Sequence, residues 1–142
     1  MLAANGHSLV LAARRRDKLQ ELADELRAAH GVKATVASVD LSEPDAPQAL
    51  FDSLRDAGAQ IDLLVNNAGL LVEGRFNALD LDRQMQLLRV NVMAMTALTH
   101  LFLGPMIARK RGRILNVASI ASFMPVPNLA VYAASKAYVR SF

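Results

Sequence analysis

Four short runs dominate the architecture this chain can adopt: "SLVLAA" (8–13), "KATVASV" (33–39), "IDLLVNN" (61–67) and "GRILNVAS" (112–119). Each is apolar on both parities, whereas a strand with one wet face alternates apolar and polar residues. Runs of this kind are expected of strands covered on both faces in a parallel sheet. Helical patterns separate them. Leu19, Leu22, Ala23 and Leu26 recur at helical spacing and are followed by Gly31, a helix stop. Ser42-Glu43-Pro44-Asp45 reads as an N-cap with a carboxylate three residues on and proline in the first turn, predicting a helix through Ala49, Leu50 and Leu54. A long helix is predicted from about Leu79 to Ala108, with Met85, Leu88, Val92, Met95 and Thr99 along one side. The last residues, from Tyr132 on, open one more helix. Strand and helix alternate four times, and right-handed crossovers of this length build a doubly wound α/β domain with a parallel sheet. No linker or repeat divides residues 1–142, so a single domain is expected.

Composition excludes several classes of function. The chain of 142 residues is 53% hydrophobic and 20% charged, which suits a packed core and argues against disorder. It has no cysteine, so disulfides and thiolate metal sites are ruled out, and a reducing, cytoplasmic setting fits. His7, His30 and His100 show no ligand spacing, and no metal is expected. The net charge is +3, with basic runs at Arg14-Arg15-Arg16 and at Arg109-Lys110-Arg111 plus Arg113. Neither run is interleaved with aromatic residues, so no nucleic-acid partner is expected, and the second run suits a helix C-terminus where cations complement the dipole. "VNVMAMTALTHLFLGPMIA" nearly has the length of a bilayer span, but Asn91, Thr96, Thr99, His100 and Pro105 interrupt it. It is read as a core helix, with no membrane partner.

Ligands of doubly wound sheets bind outside the carboxyl ends of the strands. Here those ends carry Arg14 to Arg16, Asp40-Leu41, Asn66-Asn67-Ala68-Gly69, and Ser119. Tyr132 and Lys136 add a Tyr-x-x-x-Lys pair, which on its own arises by chance in about one chain in four of this length. Its company is more telling: "VNNAG" after one strand, Asn91 in the next helix, and Ser119 thirteen residues before Tyr132. Together these resemble the short-chain dehydrogenase/reductase family in its common single-domain branch, over nearly the whole chain.

The chemistry explains the grouping. A phenol ordinarily titrates near pH 10, so acid/base work near neutrality needs help on the order of 4 kcal/mol. A lysine four residues on lies on the same helical face and its charge favours the phenolate. The resemblance implies that Tyr132 exchanges a proton with a substrate hydroxyl or carbonyl while Lys136 also holds the nicotinamide ribose. It implies that Ser119 hydrogen-bonds the substrate oxygen, and that Asn91 supports a water relaying protons to Lys136. Separately, Ser119 also suits a capping hydroxyl and Asn91 a buried structural amide.

The cofactor side follows by the same resemblance. Asp40 and Leu41 would contact the adenine, although Asp40 also suits a plain strand terminator. Asn66, Ala68 and Gly69 would line the adenosine ribose and nicotinamide side, Gly69 allowing close backbone approach. Members that prefer NAD usually end the first strand with an acidic residue, whereas this chain has Ala13 followed by Arg14 and Arg15. Guanidinium forks suit a 2′-phosphate, so NADP is the expected cofactor and NAD the less favoured one. The expected activity is hydride transfer between NADP and a carbonyl or secondary alcohol, the partner being a small-molecule substrate.

The family's glycine-rich pyrophosphate turn is not in this sequence, and "MLAANGH" resembles the tail of the helix that follows it. An internal fragment is therefore expected, with an incomplete sheet of four strands and about four helices, and with no turnover of its own. In the family's strand order a strand would lie between "SLVLAA" and "IDLLVNN". Without it those two would stand roughly 9.6 Å apart, too far to hydrogen-bond. Ser122 and Val126 stand where relatives often have glycine. The alternative function is that of a non-catalytic remnant acting by subunit association, because the Val92–Phe102 helix and the helix from Tyr132 resemble the family's subunit-packing helices. The full-length form is expected to be a homodimer or homotetramer.

Overall fold

A computed structural model describes all 142 residues. The chain, expected above as one domain, divides by its internal packing into two compact units, Met1–Asp40 and Leu41–Phe142.

In the first unit a single 3-10 turn, Ala3–Asn5, is closed by Gly6 in the left-handed region, as the tail of a helix would be. Strand β1 (Leu9–Ala13) leads into helix α1 (Arg16–His30) and then strand β2 (Ala34–Ser38). β1 and β2 pair in parallel, Leu9 opposite Ala34 through Ala13 opposite Ser38. Leu19 and Ala23 are buried, while Leu22 remains 41% exposed. The helix stops where the sequence predicts, at Gly31, whose φ of 65° lets its N–H reach Arg27 O at 2.9 Å.

The second unit holds helix α2 (Ala46–Asp56), strand β3 (Leu63–Asn66), helix α3 (Leu81–Leu88), a π-helical segment (Arg89–Ala94), helix α4 (Met95–Ala108), strand β4 (Arg113–Asn116), a 3-10 turn (Ile120–Ser122) and helix α5 (Ala130–Ser141). β3 and β4 form the second parallel pair, Leu63 opposite Arg113 through Asn66 opposite Asn116. The four strands thus make two separate two-stranded ladders, in line with the absence of an intervening strand from the sequence.

Three expectations are corrected. The helix predicted to open at Ser42 begins at Ala46, with Asp45 preceding it and Pro47 in its first turn, and residues 41–45 are turns. Pro44 disfavours helix at Glu43 before it, and Pro47 is accommodated in the first turn of the helix that starts at Ala46. The long helix starts at Leu81 rather than Leu79, because Asp80 caps it by accepting from the N–H groups of Asp82 (2.7 Å) and Arg83 (3.3 Å). Its buried side matches the Met85–Thr99 stripe only in part: Met95 and Thr99 are buried and Leu88 and Val92 half-buried, but in α3 it is Gln84 and Leu87 that are buried while Met85 is 40% exposed. Helix Leu81–Ala108 is long and apolar enough to cross a membrane by length and composition, at a mean hydropathy of 1.5 over its most apolar stretch. Its buried side nevertheless packs inside the unit, with Phe102 edge-on to Phe51 of α2 at 5.1 Å.

The strands are also less covered than their composition predicts. In β3 and β4 every second residue is exposed, leaving Leu63, Val65 and Leu115 on one open face.

Candidate active site

The site of the second unit is assembled on the first two turns of α5. Tyr132, half-buried, is the third residue of that helix, and Lys136 lies one turn on along the same face. Lys136 is only 6% exposed. Its Nζ donates to the carbonyl of Val117, just beyond β4, at 2.8 Å. None of the chain's ion pairs includes it. A buried ammonium with one carbonyl and no carboxylate is costly to a fold, and two of its three protons remain for a ligand.

Asn91 enters from the π-helical segment. Extra residues in a helical turn re-aim the side chains around them and recur at functional sites. Here the turn carries a carboxamide that is 2% exposed. Asn91 Oδ1 accepts from Leu70 N at 2.7 Å, and Nδ2 donates to Leu70 O at 2.9 Å and to Ser135 Oγ at 3.0 Å. Both Nδ2 protons are thus held by protein, and Oδ1 keeps one lone pair for a water. The Leu70 bonds fasten the loop after β3, which contains Gly69. A β-carbon on Gly69 would stand 3.5 Å from Asn91 Oδ1 and 3.6 Å from Lys136 Nζ, so this backbone lies directly beside both groups.

Ser119 ends the segment after β4. Its backbone is extended and its Oγ accepts from Ala121 N at 3.2 Å, capping the 3-10 turn on which α5 packs. The hydroxyl proton is free to point elsewhere. Ser122, three residues on, is buried with no partner for its Oγ.

The remaining expected residues fall in two places. Arg14 and Arg15 are exposed and unpaired at the carboxyl end of β1, Arg15 being the residue before α1. Asp40 ends the first unit, and Leu41 begins the second. Asn66 faces inward: its Nδ2 donates to Thr99 Oγ1 (3.0 Å) and Asn116 Oδ1 (2.9 Å), tying β3 to α4 and β4. Ala68 and Gly69 follow in the loop between Asn66 and Leu70. The second basic run is partly engaged, with Arg111 Nη2 2.9 Å from Asp62 Oδ2 and Arg109 donating to Ile61 O at 3.0 Å. Sequence reasoning overlooked Ser135, Leu70 and the Val117 carbonyl. Ser135 stood three residues after Tyr132, the spacing at which a serine bonds back to a helical carbonyl, and that was the available signal.

Parallel strands joined by helices, with a buried lysine one turn from a tyrosine in α5, define an α/β protein of the Rossmann-like class. The chain belongs to the short-chain dehydrogenase family, whose model matches residues 1–142. It is 35% identical to the very-long-chain 3-oxoacyl-CoA reductase of Rattus norvegicus, over 99% of this chain and 46% of the relative. Among solved structures it is similar to a metagenomic short-chain oxidoreductase in complex with NADP, with a TM-score of 0.92 at 36% identity, covering 99% of this chain and 62% of that one. L-sorbose reductase from Gluconobacter frateurii, complexed with NADPH and L-sorbose, gives a TM-score of 0.91 at 31% identity, covering 99% of this chain and 53% of that one. The chain spans about half the length of the curated relatives it matches.

Proposed function

We propose that the protein is an NADP-dependent oxidoreductase that interconverts a carbonyl and a secondary alcohol. The observation that carries this reading is the buried Lys136 ammonium, unpaired by any carboxylate and bordered by Gly69 and Asn91, one helical turn from Tyr132. That donor set fits the hydroxyls of a nicotinamide ribose, and the glycine leaves room for one to approach. NADPH, when bound, supplies the hydride.

The chain's own residues account for the proton. Tyr132 Oη delivers it to the carbonyl oxygen in reduction and removes it from the hydroxyl in oxidation. Lys136, one helical turn on, offers its two remaining protons to the nicotinamide ribose. Ser119 Oγ donates to the same substrate oxygen and stabilises charge developing there. Asn91 fixes the loop that carries Gly69 through its two bonds to Leu70. Arg14 and Arg15, exposed beyond β1, suit the 2′-phosphate that distinguishes NADP from NAD.

The relatives' names range from a hydroxysteroid dehydrogenase to a sorbose reductase, and what those substrates share is a carbonyl or carbinol. Ketone-dependent NADPH oxidation by the intact gene product is the test. Tyr132→Phe is expected to lower turnover about 10²- to 10⁴-fold with little change in NADPH affinity. Undiminished turnover in that variant would refute the assignment.

A further inference from the structure

We infer that Ser135 is a positioning residue for proton transfer, linking the Asn91 carboxamide to the turn of α5 that presents Tyr132. The inference rests on the oxidoreductase reading above. Ser135 is 1% exposed, among the most buried polar residues of the chain. Its Oγ donates to Tyr132 O at 2.7 Å and accepts from Asn91 Nδ2 at 3.0 Å. The direction is forced: a carbonyl only accepts, so the single hydroxyl proton goes to Tyr132 and a lone pair is left for the amide. The same logic fixes Asn91, whose Oδ1 must face the Leu70 N–H. A continuous relay of contacts therefore runs from the loop after β3, through the π-helical segment, to the first turn of α5.

The bond back to Tyr132 O is local and any helical serine makes it. The bond from Asn91, 44 residues away, is not local, and helix formation does not require it. Alanine has nearly the volume of serine, so its substitution removes the hydroxyl and leaves little cavity. One Nδ2 proton of Asn91 then loses its partner at a buried position, and the amide is free to turn away from Leu70. That loosens the backbone beside Lys136 Nζ without touching substrate or cofactor. The expected signature is a loss in kcat with cofactor affinity retained.

The test compares Ser135→Ala, Ser135→Thr and, as a control for lost packing on the same helix, Val139→Ala in the intact gene product; Val139 is also buried. Ser135→Ala is expected to lower kcat for ketone reduction about 10- to 100-fold, with the Kd for NADPH changed by less than about threefold. Ser135→Thr, which keeps the hydroxyl, is expected to restore most of kcat, and Val139→Ala to leave kcat intact despite a lower melting temperature. Amide hydrogen exchange at Leu70 is expected to speed up in Ser135→Ala and not in Val139→Ala. Equal kcat losses in Ser135→Ala and Val139→Ala, or unchanged Leu70 exchange in Ser135→Ala, would overturn the inference. If Ser135→Ala does not fold, Ser135→Cys, with its weaker sulfur acceptor, is read by the same criteria. Absence of ketone reduction in the unsubstituted protein would defeat the oxidoreductase reading instead, and the Leu70 exchange comparison would then decide the Ser135 link alone.

Discussion

Lys136 is a residue the fold holds at its own expense. Its ammonium is buried against a single carbonyl, with no counter-ion. Replacing an inadequately paired buried charge by an apolar side chain of similar size is commonly neutral or stabilising. Lys136→Met is therefore expected to abolish ketone-dependent NADPH oxidation while raising unfolding stability by about 1 kcal/mol, read from urea melts. A substitution that lowered stability would show that Lys136 serves the core. In the first unit, Arg14→Asp is expected to weaken NADPH binding about 10- to 100-fold, the worth of one charge-assisted hydrogen bond, and to improve NADH binding, both read by fluorescence titration. Tyr132, Lys136, Ser119 and Asn91 stand out in the sequence as candidates because their types and spacings resemble the family's pattern. Ser135 does not, because its significance lies in an acceptor contact with a residue 44 positions away, and spacing along the chain carries no trace of that.

The elements were legible in type and less so in their edges. Strands β1 to β4 each lie inside the apolar runs read from sequence, since burial needs leave a compositional mark. The start of α2 was misplaced because Pro44 and Pro47 both satisfy the preference for proline in a first turn, and only the second is in the helix. The buried stripe of the long helix was off by one residue in α3 but not at Met95 and Thr99, for a different reason. A π-helical turn at Arg89–Ala94 inserts about one residue of phase, so no single 3.6-residue period describes both α3 and α4. The connection from α4 to β4 offers a test of local packing. Lys110 there adopts a left-handed conformation, and a β-carbon on Gly112 would lie 2.4 Å from Met106 Cγ and 2.6 Å from Met106 Cβ. Gly112→Ala is expected to lower stability by about 1–3 kcal/mol, seen as a lower urea midpoint with an unchanged m-value.

At the scale of the whole molecule, the incomplete parallel sheet expected from the sequence is present as two separate parallel pairs. Around Lys136, Gly69 and Asn91 adjoin one another, and Ser135 links Asn91 to Tyr132. The glycine-rich turn that would hold a diphosphate is not among the 142 residues. A polypeptide of residues 1–142 is accordingly expected to show no ketone-dependent NADPH oxidation, and measurable turnover by it would refute that expectation. Leu63, Val65 and Leu115 stand 38%, 39% and 52% exposed on one face of the β3–β4 pair, where the sequence predicted cover on both faces. Such a face is driven together by water, and that drive is entropic near room temperature and fades on cooling. Solutions of this polypeptide will therefore clear in the cold and cloud on warming, and sulfate will hasten the clouding.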